Sequence, residues 1–279
     1  MKNMANVIGV TMPRLLYGTA WKKDKTADLV EKAVKLGFRG IDTACQPKHY
    51  HEAGVGEAIL KLANAGIPRK DLYIQTKFTP LNGQDPFNVP YNKKAPLSDQ
   101  VAESFEVSKK NLGVSYIDGL ILHSPLENMD QLMEVWQAME EIHQQGGTKL
   151  IGISNCYDVQ LLQQLYEAAT IKPTILQNRF YADTNYDNEL RTFCIEQKMM
   201  YQSFWTLTAN PHILSSKAVQ EAARSLSKTA PQILFRTLVD LGIVPLTGTS
   251  SEQHMKEDLD ILNFTLPKSV TQEVASLFT

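Results

Sequence analysis

Short apolar runs alternate with longer helical patterns from one end of the chain to the other. Strand-like runs fall at 15–20, 38–44, 72–77, 116–123, 150–155, 175–180, 199–204 and 243–249. Helical patterns lie between them, among them 26–36, 54–63, 98–111, 130–144, 158–168 and 186–196. In the fifth of these, Leu161, Leu162, Leu165 and Tyr166 recur at the i, i+3, i+4 spacing of a helix with one buried face. Gly37, Gly113, Gly146, Gly147 and Gly242 stand where helical patterns stop, as glycine commonly does.

Such alternation with short connections predicts a parallel sheet, because parallel strands must be joined by crossovers. Eight units in about 250 residues is the size of a closed (β/α)8 TIM barrel, an α/β fold. An open doubly wound sheet would place a glycine-rich phosphate turn after its first strand. Here that strand runs into Gly18-Thr19-Ala20-Trp21-Lys22-Lys23, and no such fingerprint occurs elsewhere. No Pro/Gly/Ser-rich linker divides the chain, so 1–279 is expected to be a single barrel domain with a short C-terminal tail. The longest irregular stretch, 78–96, carries Pro80, Asn82-Gly83, Pro86, Pro90 and Pro96, and is expected to cover the site or to move.

Composition narrows the function classes. The 279 residues hold 28 Lys+Arg against 30 Asp+Glu, with 43% hydrophobic and 21% charged residues. That balance is that of a folded chain and offers no general attraction to nucleic acid or to an anionic membrane. No apolar run approaches the ~20 residues of a membrane span, and the N-terminal stretch lacks a secretory h-region. Cys45, Cys156 and Cys194 have no metal-ligand spacing and cannot all pair. The expectation is a cytoplasmic protein with reduced thiols and no metal site, acting on a small molecule. Nothing marks a coiled-coil seam, so a monomer or weak homo-oligomer is expected.

In a barrel of this kind, chemistry collects where strands end. The strand ends here carry Trp21, Asp42, Lys77, His123, Ser154-Asn155, Gln177, Ser203-Phe204-Trp205 and residues 247–249. Asp42 alone reads equally well as a cap, Lys77 as an exposed lysine and His123 as a satisfied core histidine. On successive strands they read together as an ion pair beside an imidazole. Tyr50, eight residues after Asp42, is the candidate proton donor. An ordinary phenol is a poor acid near neutrality, and Lys77 is expected to lower its pKa while Asp42 holds the lysine in place. Such a set suits protonation of an oxygen on which negative charge develops.

At these residues the chain resembles the aldo-keto reductase family over nearly its whole length. The resemblance runs through Met12-Pro13, Gly18-Thr19-Ala20-Trp21, Gly40-Ile41-Asp42-Thr43-Ala44, Tyr50 with Val55-Gly56-Glu57-Ala58-Ile59, Thr76-Lys77-Phe78 and Leu122-His123-Ser124. It continues through Gly152-Ile153-Ser154-Asn155, Gln177-Asn178 and 242–258. The resemblance implies a nicotinamide-dependent reductase of aldehydes or ketones without a Rossmann fold. It implies Asp42, Tyr50, Lys77 and His123 as catalytic tetrad, and Ser154, Asn155 and Gln177 as partners of the nicotinamide carboxamide. Thr19, Asp42 and Ser203 join the implied cofactor-binding set.

Three departures from the family pattern stand out. Gln46-Pro47-Lys48 looks like an insertion before Tyr50. Gln202 stands where the family stacks an aromatic ring on the nicotinamide; Phe204, on the same strand face, reads equally as a replacement for that ring or, with Trp205, as plain core or pocket lining. After the last strand, Gly248 and His254 occupy positions that are basic in the family, leaving Thr249 and Ser250 to bond phosphate, with Glu257 and Asp258 at the adenine end. NADPH is the expected cofactor, with NADH possible. Trp21, Phe78 and Trp205 are expected to line the substrate pocket, with Phe87, Tyr91 and Leu207 as further walls. An alcohol-oxidising enzyme using the same site, or an inactive cofactor-binding barrel with a regulatory or structural role, are the competing readings.

Overall fold

A computed structural model describes residues 4–7 and 9–278. An antiparallel hairpin of β1 (Met4–Val7) and β2 (Val10–Pro13) precedes eight parallel strands. These are β3 (Leu16–Gly18), β4 (Gly40–Asp42), β5 (Tyr73–Phe78), β6 (Ile117–Leu122), β7 (Thr148–Ser154), β8 (Ile175–Arg179), β9 (Met200–Phe204) and β10 (Val244–Thr247). Each pairs with the next, and β10 pairs with β3, closing the barrel. The outer helices are α1 (Thr26–Leu36), α2 (Glu52–Asn64), α3 (Leu97–Leu112), α4 (Met129–Gln144), α5 (Val159–Ala168) and α6 (Asn188–Glu196). They continue as α7 (Pro211–Leu214), α8 (Lys217–Leu226), α9 (Ala230–Asp240), α10 (Glu252–Asp260) and α11 (Lys268–Ala275). The fold is the expected (β/α)8 TIM barrel. No helix among the described residues is long and apolar enough to cross a membrane.

All eight expected strands are present with trimmed ends. The run at 38–44 is regular only over Gly40–Asp42. Beyond it Thr43 and Cys45 still donate their N–H groups to the Gln75 and Lys77 carbonyls, so the chain leaves the sheet while bonded to β5. The pattern at 186–196 becomes helix only from Asn188, because Asn185, Tyr186 and Asp187 take φ of 50°, 51° and 55°. Gly113, an expected stop, ends α3 in the left-handed conformation. Side-chain caps set several helix starts: Asn128 on α4, Asp158 on α5, and a Thr229–Gln232 capping box on α9. Each is worth about 1 kcal/mol.

The hairpin has no counterpart among the sequence expectations. Val7 and Met12 pack with Leu16, Tyr73, Ile121, Leu150, Ile175 and Val244 into an apolar plug, fed mostly by the first residues of the strands. Gly119 leaves room there, since a Cβ at that position would lie 2.6 Å from the Tyr73 hydroxyl. With one end of the barrel filled by apolar side chains, polar groups collect toward the other, where the strands terminate.

Candidate active site

Asp42 on β4 and Gln75 on β5 are cross-strand partners. Side chains alternate along a strand, so Gln75 and Lys77 enter the barrel while Phe78 leaves it. Lys77 Nζ donates to Asp42 Oδ1 and Oδ2, both at 2.7 Å, and to the Thr43 carbonyl at 2.9 Å. Those three bonds use every proton of the ammonium. Both side chains are almost fully buried, so neither charge has water to replace its partner. Burial pulls Lys77 below the usual lysine range, against the upward pull of Asp42.

Tyr50 reaches this pair from the β4–α2 loop. Lys77 Nζ lies 5.1 Å from the centroid of its ring, and the His123 ring stands 6.0 Å away at 67°. The insertion at Gln46-Pro47-Lys48 does not displace it. The N–H groups of His49 and Tyr50 both bond the Gln46 carbonyl, folding the extra residues into one turn. Gln46 Nε2 then donates to the Gly83 carbonyl at 2.7 Å, and Gln84 Nε2 to the Cys45 carbonyl at 2.9 Å. The loop carrying Tyr50 is thereby tied to the segment after β5.

The electrostatics of Tyr50 differ from expectation. Burial, reinforced by the Asp42 carboxylate, pushes the phenol far above its usual range. Lys77 does not lower it, because its charge is matched by Asp42 and its protons are all engaged. Tyr50 is therefore a neutral hydroxyl, the protonation state a donor requires. Burial and Lys77 together pull His123 well below the usual histidine range, so its imidazole is neutral too. His123 Nδ1 lies 2.7 Å from Thr79 Oγ1, which leaves Nε2 available.

On the facing wall, Ser154 Oγ donates to the Gln177 carbonyl at 2.7 Å, and Asn155 Nδ2 to the His123 carbonyl at 2.8 Å. Gln177 Nε2 lies 3.0 Å from Asp42 Oδ1 and 2.8 Å from Gln202 Oε1. The structure thus brings Ser154, Asn155 and Gln177 together beside the Asp42–Tyr50–Lys77–His123 cluster. Gln202 points into the barrel rather than toward the mouth. Phe204, two residues on, is partly exposed on the same side of β9.

The segment after β10 forms a second polar region. Ser251 accepts from the His254 N–H and caps α10, while Thr249 Oγ1 accepts from the Ser251 N–H. Gly248 supplies no charge, but the Lys22 ammonium reaches its carbonyl at 2.6 Å, and lies 3.9 Å from where a Gly248 Cβ would stand. Burial lowers Lys22 to about 8. A helix N-terminus beside an ammonium fits a phosphate group. The polar side chains of Ser154, Asn155 and Gln177 at the strand ends fit the amide of a nicotinamide, so these residues fit a nicotinamide dinucleotide.

Residues 11–278 match the family model described as the aldo/keto reductase family. The chain belongs to the aldo/keto reductase family. The reductase is 29% identical over 272 residues to an uncharacterized oxidoreductase, YtbE, of Bacillus subtilis (strain 168), covering 96% of this chain and 90% of that protein. It is 28% identical over 272 residues to the methylglyoxal reductase DkgA of Escherichia coli (strain K12), with the same coverage. A crystal structure of an aldo/keto reductase from Brucella melitensis superposes with a TM-score of 0.82 at 26% identity, covering 98% of each chain. The reductase is accordingly an NAD(P)H-dependent oxidoreductase.

Several expected site residues lie elsewhere in the reductase. Phe78 is 1% exposed and packs on Tyr91 between barrel and helices, because it alternates with the inward Lys77; neither ring lines the mouth. Ser203 is buried on the outward side of β9, where its Oγ accepts from Thr206, because Gln202 takes the inward position. Thr19 is buried, and its hydroxyl donates to the Asp42 carbonyl at 2.9 Å, bracing the end of β4. Asp258 lies on the buried face of α10, where it accepts from Thr247 at 2.7 Å and burial lifts it to about 6, so its carboxylate is turned inward rather than offered at the surface. Trp21 and Trp205 are both more than half exposed, each with positive φ, and Trp21 stacks on His49 at 3.8 Å. Ser250, His254 and Glu257 sit at the accessible rim around the start of α10.

Three residues escaped sequence reasoning. Gln75 and Lys22 are ordinary strand and loop residues until the fold brings distant partners to them. Arg179 ends β8 with its guanidinium 4.3 Å from the Trp205 ring and 5.1 Å from Tyr181, and meets no carboxylate among the described residues. A signal was present for Arg179, which follows Gln177 by two and so shares its strand face. A groove of about 640 Å³ along α3, lined by Pro90, Phe105, Glu106, Ile142 and Gly147, contains none of these groups.

Proposed function

We propose that the protein reduces small aldehydes and ketones with NADPH, α-oxo-aldehydes foremost. The observation that carries this reading is a neutral Tyr50 hydroxyl held beside a buried Asp42–Lys77 pair and a neutral His123. The name of the related methylglyoxal reductase suggests the substrate class.

Ser154, Asn155 and Gln177 would hold the nicotinamide, and Lys22, Thr249, Ser250 and the start of α10 the phosphates. Bound there, the reduced nicotinamide supplies a hydride to the carbonyl carbon. His123 orients the carbonyl oxygen through Nε2. Tyr50, its ring held over the Lys77 ammonium, gives its proton to that oxygen as negative charge develops there. Asp42 keeps Lys77 charged in a site where burial alone would discharge it. We assign the whole of 1–279 to one catalytic domain on this reading.

The alcohol-oxidising direction runs the same proton transfer in reverse, so the site serves both directions and the ratio of reduced to oxidised cofactor sets which one prevails. An inactive barrel would have no requirement for the Asp42–Lys77–Tyr50–His123 arrangement. The test is NADPH consumption with methylglyoxal, phenylglyoxal and benzaldehyde. Turnover is expected for all three, fastest with the dicarbonyls; no turnover with any of them sinks the reading. Equal or better turnover with NADH at matched concentration overturns the NADPH preference.

A further inference from the structure

The barrel interior beside Asp42 contains a closed amide network in which Gln75 and Gln202 have no part in the proposed reaction. Asp42 and Gln75 on β4 and β5 face Gln177 and Gln202 on β8 and β9, and all four side chains are buried. Gln75 Nε2 donates to Asp42 Oδ1 at 2.6 Å and to Gln202 Oε1 at 2.9 Å. Gln177 Nε2 donates to the same two oxygens. Gln202 Nε2 donates to Gln75 Oε1 at 3.0 Å and to Met12 Sδ at 3.3 Å, and the Tyr73 hydroxyl completes Gln75 Oε1 at 3.2 Å.

The direction of every amide follows from one fact. A carboxylate oxygen only accepts, so Gln75 and Gln177 must both present –NH₂ to Asp42. Gln202 must then turn Oε1 toward those two –NH₂ groups, and its own –NH₂ falls on Gln75 Oε1. Each of the three –NH₂ groups spends both hydrogens inside the network. Each of the Gln75 and Gln202 carbonyl oxygens receives two bonds. One acceptor remains: Gln177 Oε1 makes no hydrogen bond among the described residues.

We propose that Gln202 and Gln75, acting from Asp42, lock the Gln177 amide so that it meets the cofactor only as an acceptor, selecting a pyridine substituent that carries an N–H. Gln202 and Gln75 are positioning residues here, since neither reaches the ring. The inference rests on the nicotinamide reading above. It also accounts for glutamine at 202 in place of a stacking aromatic: an aromatic ring there cannot both accept from Gln177 and donate to Gln75.

The test is calorimetric binding of NADP⁺ and of its 3-acetylpyridine analogue, whose methyl ketone has an oxygen but no N–H. Both are oxidised cofactors of equal charge, so the affinity ratio reads the contacts of the carboxamide N–H, and the change of that ratio in the variants reads the contribution of Gln177. The wild-type protein is expected to prefer the carboxamide by about tenfold, the effect of one hydrogen bond against an unmatched acceptor pair. Gln202→Met keeps length and removes one of the two acceptors that hold the Gln177 –NH₂, leaving Asp42 alone to orient it; the amide loosens and the ratio is expected to fall severalfold while the melting temperature shows the fold retained. An unchanged ratio in Gln202→Met, or a wild-type ratio near one, overturns the lock while leaving the nicotinamide reading intact. If the wild type binds neither ligand, the nicotinamide reading fails and the lock with it. Should Gln202→Met not fold, Gln75→Met decides the question by the same ratio, because it frees Gln202 to turn.

Discussion

Lys77 Nζ holds both carboxylate oxygens of Asp42 at 2.7 Å, deep in a barrel that gives neither charge any water. A buried pair of this kind adds little net stability, but removing one partner strands the other charge. Lys77→Met is therefore expected to cost about 3–5 kcal/mol in urea unfolding and to abolish reductase activity. The double variant Asp42→Asn/Lys77→Met is expected to recover part of the stability and none of the activity. Additive losses in the two single and the double variants would contradict the coupling.

Tyr50→Phe removes the hydroxyl and keeps the ring against Lys77. Loss of a positioned proton donor is expected to lower kcat by about 10²-fold or more, with NADPH affinity unchanged. Tyr50 is held far above, and His123 far below, their usual ranges. Neither group changes charge near neutrality, so kcat is expected to be flat between about pH 6 and 8. An inflection at the usual histidine value that vanishes in His123→Gln would show that His123 titrates after all.

The Lys22 ammonium reaches the Gly248 carbonyl at 2.6 Å, at the start of the segment after β10. Lys22→Met is expected to weaken NADPH binding about tenfold near pH 7, the effect of one charge-assisted hydrogen bond. Burial sets Lys22 at about 8, so the wild-type advantage should shrink as pH rises past that value and the ammonium loses its proton. Identical affinities for wild type and Lys22→Met at every pH would remove Lys22 from the phosphate site.

Asp258 lies buried under α10, lifted to about 6 by burial. A carboxyl raised in the folded state favours the protonated form. Its contribution is therefore fully favourable below its unfolded value and is lost as pH rises through 6. Asp258→Asn keeps an acceptor for Thr247 and has no charge to bury. It is expected to exceed the wild type by roughly 1–3 kcal/mol at pH 7–8 and to match it near pH 4. Thermal unfolding across that range checks both the magnitude and the pH window.

The strand ends were readable because period-two alternation fixes which residues enter a barrel. Asp42, Lys77, His123, Ser154-Asn155 and Gln177 all emerge where the eight-fold pattern places them. Phe78 and Ser203 were misjudged by the same rule, each being the outward neighbour of an inward residue. Asp258 was misplaced because helix phase, not segment position, turns it under α10.

By itself, the order of apolar runs and polar strand ends determined the barrel and which residues stand at the strand ends, since these depend on local periodicity, while the family was legible only as a resemblance carried by its motifs. Tertiary structure decided the rest. The protonation of Tyr50, the spent protons of Lys77, the reach of Lys22 to Gly248 and the amide lock around Gln177 all join residues tens to hundreds of positions apart. Burial and the direction of a hydrogen bond are properties of those meetings, and no local pattern encodes them.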